Sequence, residues 1–85
     1  MATYEGWHIE FGIHARKRME ERHVEEKDVL AVVHDPDDVQ VDTRHRGRLL
    51  SRYLADWDRM LVVAIEERPT ESVLLVKTVL WSEAK

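Results

Sequence analysis

His14, Arg18 and Arg22 recur at four-residue spacing, and on a helix that spacing puts all three on one face. A histidine takes and returns protons near neutral pH, and guanidinium groups grip phosphate oxygens through paired hydrogen bonds. The combination suits a phosphodiester. Cleavage of RNA by attack of the 2′-OH on its own phosphate needs a group to take that proton, cations for the developing charge, and an acid for the departing 5′ oxygen. That route requires neither a carboxylate pair nor a metal. Two further cations interrupt apolar runs: Arg52 between Leu49-Leu50-Ser51 and Tyr53-Leu54, and Lys77 between Val73-Leu74-Leu75-Val76 and Thr78-Val79-Leu80. A charge buried in a central strand is costly unless it meets a partner, a ligand or solvent. His14, Arg18, Arg52 and Lys77 are therefore the candidate catalytic residues. Arg22, Arg44, Arg46, Arg48 and Tyr53 are the candidate RNA contacts, Tyr53 as a stacking surface or phenolic proton.

Each of these residues also has an ordinary structural use. His14 could hydrogen-bond the strands that follow, and the arginines could pair with Asp35, Asp37 or Asp42. Arg52 and Lys77 could extend their stems along apolar surface to a sheet rim, and Tyr53 could pack in the core. Both uses stay open at the level of sequence. Other chemistries find less support. The five histidines form no H-x-x-x-H or H-E-x-x-H pattern, so no metal is expected. No glycine-rich phosphate loop or serine elbow is present, and no cofactor is expected. There is no cysteine, which removes disulfides and thiolate chemistry.

Eighty-five residues amount to one domain whose core is a single sheet with something packed on it. No run approaches the roughly 18 apolar residues of a membrane span. The N-terminus MATYEGWHIE lacks the basic and apolar regions of a signal peptide, so a cytoplasmic protein is expected. Formal net charge is −4, unlike a generally basic nucleic-acid binder. The charge is segregated, however. Between Val24 and Asp42 seven acids stand against Lys27 alone, whereas Arg44, Arg46, Arg48 and Arg52 follow with no acid among them. Such segregation gives a local positive potential on an acidic molecule.

The elements that must position these residues are readable from period. Trp7, Ile9 and Phe11 alternate with His8 and Glu10, predicting a short edge strand or extended arm. Ala15 and Met19 share a face with outward pairs Arg16/Glu20 and Lys17/Glu21, predicting a helix from Ile13 to Arg22 with Gly12 as N-cap. A second helix starts at a Glu25 cap with Asp28 at the capping-box position. Val24 and Val29 form its staple, Val32 and Val33 extend its stripe, and Pro36 stops it. Thereafter the period is two. Strands are predicted over Val39–Thr43, Arg48–Ala55, Met60–Glu67 and Val73–Trp81 as an antiparallel meander. The last two are apolar on both faces. Two short helices cover one face only, so the second must meet the N-terminal segment with Trp7, or a partner chain. Met60, Val62, Leu74, Val76 and Leu80 are the expected contacts of such a partner.

The run His14-Ala15-Arg16-Lys17-Arg18-Met19-Glu20-Glu21-Arg22, followed by His23-Val24-Glu25-Glu26-Lys27-Asp28-Val29, resembles the bacterial domains that bear an H-A-x-x-R-M-x-x-R signature. Those domains are related to the BrnT and RelE/ParE toxins of toxin–antitoxin pairs. The resemblance implies an α+β fold with two N-terminal helices on an antiparallel sheet of three to four strands, an antitoxin partner, and, as in RNase members, RNA cleavage without a metal. It also implies a basic residue on a concave sheet face at the scissile phosphate. Two features depart from the pattern: His23 stands where the helix break often carries glycine, and the chain is acidic where such RNases are commonly basic. The competing expectation is a non-catalytic protein-binding module or a homodimeric structural domain of the same fold.

Overall fold

The computed structural model describes Tyr4, residues 6–42 and residues 47–82. Helix α1 spans Ile13–Arg22 and buries Ala15 and Met19. Its N-cap is Gly12, and it closes on His23 in the left-handed region (φ 58, ψ 42). Val24 N–H then donates to the Met19 carbonyl at 2.8 Å. Helix α2 spans Glu26–His34 with a full capping box at Glu25 and Asp28; the Glu25 N–H donates to Asp28 Oδ2 at 3.0 Å. Val29, Val32 and Val33 form its buried stripe. Both helices begin and end where the sequence predicts. No helix among the described residues is long and apolar enough to cross a membrane.

Five strands form one mixed sheet in the order β1-β5-β4-β3-β2: β1 (His8–Phe11), β2 (Asp38–Asp42), β3 (Gly47–Leu54), β4 (Arg59–Arg68) and β5 (Val73–Ser82). Strands β2 to β5 are the expected antiparallel meander. The expected N-terminal edge strand is present as β1 at the border of the sheet, and the difference lies in its direction: it pairs parallel to β5, Ile9 beside Leu74 and Phe11 beside Val76, so the sheet is mixed and five-stranded. The β4–β5 register also breaks once. Ile65 pairs with Val76 while Ala64 pairs with Thr78, leaving Lys77 as the extra residue of a β-bulge.

The helices cover one sheet face. Leu50, Leu61, Val63, Ile65, Leu74, Val76 and Val79 meet Ala15, Met19, Val24, Val29, Val32 and Val33 there in a single core. Leu74 and Val76, expected at a partner surface, are thus fully buried within the chain: their faces follow from the register with β4. The N-terminal segment also joins the helix side, for Tyr4 is buried in the core and Trp7, Ile9 and Phe11 pack against it. On the opposite face Leu49, Met60, Val62 and Ala64 are half-buried and Leu80 is exposed, and no helix among the described residues covers it. Tyr4 donates to Glu67 Oε2 at 2.8 Å, and Glu67 pairs with Arg48 at 3.2 Å. Burial first, and then the Glu67 bond, push the Tyr4 phenol up to about 12.

Two outcomes follow from this geometry. A non-glycine residue in the left-handed region is strained, so His23→Gly should raise stability in urea unfolding by about 1 kcal/mol; an unchanged or lower midpoint would contradict the strain. Tyr4 is held neutral in the fold, so its contribution is complete below the unfolded phenol value of about 10 and is lost as pH rises toward about 12. The stability gap between wild type and Tyr4→Phe should therefore narrow across that window, and a gap constant with pH would contradict it.

Candidate functional site

The chain leaves β1 and enters α1 at Gly12, whose N–H donates to the Val76 carbonyl at 3.0 Å. That bond fixes the start of α1 against β5 one residue before the bulge. A groove of about 500 Å³ opens at this junction, lined by Gly12, Ile13 and His14 on one side and Ala64, Leu75, Val76, Lys77 and Thr78 on the other. His14 stands in the first turn of α1 and is exposed. Ile13 at the rim is 92% exposed. The groove thus combines an imidazole and an ammonium with apolar walls from Ala64, Leu75 and Val76. No side chain caps the first turn of α1, and uncapped helix N-terminal amides favour anions.

The remaining candidates are distributed elsewhere. Arg18 pairs with Glu21 at 2.7 Å, and this bond, the largest influence on Glu21, lowers its carboxyl below the ordinary value. Arg22 donates to the Val79 carbonyl at 2.5 Å, while its own carbonyl accepts from Trp81 Nε1 at 2.9 Å. Arg48 belongs to the Tyr4–Glu67 group. Arg52 donates to both the carbonyl and the carboxylate of Asp35, at 2.9 and 2.8 Å, and so fastens the end of α2 to β3. Arg52 and Tyr53 line a separate groove of about 340 Å³ with Lys27, Asp28, Ala31 and residues 54–57. Tyr53 donates its hydroxyl to Asp58, and that bond raises its pKa above the ordinary tyrosine value. Arg44 and Arg46 lie outside the described residues.

The structure therefore brings His14 together with Lys77, and Arg52 together with Tyr53, in two different grooves. Gly12, Ile13, Leu75 and Thr78, which complete the first groove, carried no motif in the sequence. The only signal for them is the break in apolar runs at Lys77 read together with the helix cap at Gly12. Among the described residues no group of three or more histidine, aspartate or glutamate side chains is gathered as for a metal ion.

Arg22 carries the clearest structural load of the candidate RNA contacts. Replacing it with Met, which keeps the stem and removes the donor, should lower stability in urea unfolding by about 1–3 kcal/mol; an unchanged unfolding midpoint would contradict that structural role.

A family model described as a domain of unknown function, DUF4258, matches residues 11–81, which include both helices, His14 and Lys77. No curated protein and no solved structure matches the chain. With most of its length inside that match, the chain belongs to the DUF4258 domain family.

Proposed function

We propose that this domain is a toxin-like RNA-binding protein, related in kind to the BrnT and RelE/ParE toxins, that cleaves RNA without a metal. The single observation in support is the meeting of His14 and Lys77 in one groove at the β1–α1 junction. In this reading a phosphodiester lies between them. His14 takes the 2′-OH proton, the 2′ oxygen bonds to phosphorus, and the bond to the 5′ oxygen breaks. His14 then returns the proton to the departing oxygen, giving a 2′,3′-cyclic phosphate and a free 5′-OH. Lys77 supports the charge that grows on the non-bridging oxygens. Arg18, one turn beyond His14, guides the approaching strand. Arg52, engaged with Asp35, and Tyr53, engaged with Asp58, act outside this groove.

One observation favours a second reading. The open sheet face presents Met60, Val62 and Leu80, apolar residues that suit a protein partner, whether an antitoxin or a second copy. In that reading the protein docks and does no chemistry.

Purified protein, freed of any co-purifying partner, separates the two. His14→Ala should reduce cleavage of a labelled RNA by about 10²–10⁴-fold. Lys77→Ala should reduce it by about 10²-fold while changing affinity much less, because a residue aimed at developing charge acts in the transition state. Both variants should retain the wild-type unfolding midpoint. Absence of salt-dependent RNA binding, of cleavage and of growth inhibition on expression would reject the RNA reading in favour of protein docking.

A further inference from the structure

The two ends of the sheet are finished differently. At one end the last strand is the short β1, whose exposed side chains are His8 and Glu10, while beyond it the Gly12 N–H and the Arg22 guanidinium take the Val76 and Val79 carbonyls of β5. At the other end β2 is the last strand. No described residue makes a main-chain hydrogen bond to its outer side. An exposed strand edge is a template for another strand. Charged side chains usually blunt such an edge, yet here Val39 is 43% and Val41 72% exposed.

We propose that the outer edge of β2 accepts an extended basic segment of a partner protein as a sixth strand. The chemistry of that segment follows from the alternation of β2. Side chains on the added strand would stand beside Asp38 and Gln40 on one face and beside Val39 and Val41 on the other. Asp38 is exposed and accepts a hydrogen bond from the Gln40 side chain at 3.2 Å. The complementary segment therefore alternates lysine or arginine with β-branched apolar residues. A groove of about 300 Å³ beside the edge, lined by Asp38, Gln40, Leu49, Ser51, Met60, Val62 and Ser82, has an acidic rim and an uncharged floor. A basic side chain on the added strand stands one strand spacing from Asp38 and reaches the acidic rim of this groove.

A second copy of β2 is a poor occupant. In the antiparallel arrangement centred on Gln40, Asp38 of each copy faces position 42 of the other, also an aspartate, and in the parallel in-register arrangement like faces like. Either puts carboxylates opposite one another, which is destabilising. The proposal does not depend on RNA cleavage: it concerns the opposite end of the sheet from the His14–Lys77 groove.

The test uses two soluble ten-residue probes, one alternating valine with lysine and one alternating valine with glutamate, titrated into the isotopically labelled full chain. The lysine peptide should shift the amides of residues 38–42 and slow their exchange, bind more weakly as salt rises, and bind at least about tenfold more tightly than the glutamate peptide. The double variant D38K/D42K should invert that preference while keeping the wild-type unfolding midpoint. Equal binding of both peptides, binding of neither, shifts confined to other strands, or dimerisation of the free chain through β2 would each overturn the proposal.

Discussion

The outer side of β5 is the constraint from which the rest of the structure follows. This strand is apolar along nearly its whole length, and its main-chain groups need partners wherever water is excluded. Three devices supply them in chain order: β1 pairs with Val73 to Val76, the Gly12 N–H takes the Val76 carbonyl, and the Arg22 guanidinium takes the Val79 carbonyl. Trp81 returns a bond to the Arg22 carbonyl. Helix α1 is thereby fastened at both ends to one strand. Its apolar residues Ala15 and Met19 then point into the core, and its first turn stands beside the bulge at Lys77.

That arrangement gives the groove its character. A bulge alters the local twist and re-aims one side chain, and here the re-aimed residue is a lysine in an otherwise apolar strand. Had β5 kept a regular ladder against β4, position 77 would have followed the simple alternation of the strand. The register break instead allows Lys77 to share a groove with His14 while Val76 and Val79 remain in the core. Site and core are compatible because the bulge separates them by a single residue.

Much of this was legible in the sequence, and the reasons differ by element. The helix bounds were readable because caps are local: Gly12, the Glu25–Asp28 box and Pro36 act within a few residues of the backbone they satisfy. The meander was readable because each strand of β2 to β5 alternates or runs apolar between turn residues. The parallel pairing of β1 was not, since a four-residue strand carries no mark of its partner or direction. The faces of Leu74 and Val76 were not readable either, because both faces of β5 are apolar and the bulge is a property of two strands together. Among the candidate residues, spacing alone linked His14, Arg18 and Arg22. The structure separates them by what each one touches: the groove, Glu21 and the Val79 carbonyl. Arg52 breaks an apolar run just as Lys77 does, yet one closes the end of α2 and the other lines the groove.

The proposed sharing of one phosphate by His14 and Lys77 is measured by titrating a non-cleavable RNA analogue, with a 2′-deoxy sugar at the scissile position, into protein labelled for observation of histidine and lysine side chains. With one shared phosphate the His14 ring and the Lys77 ammonium shift together along one saturation curve, while the Arg52 guanidinium stays unmoved. Shifts at Arg52 and Tyr53 without His14, or separate curves for His14 and Lys77, would contradict it.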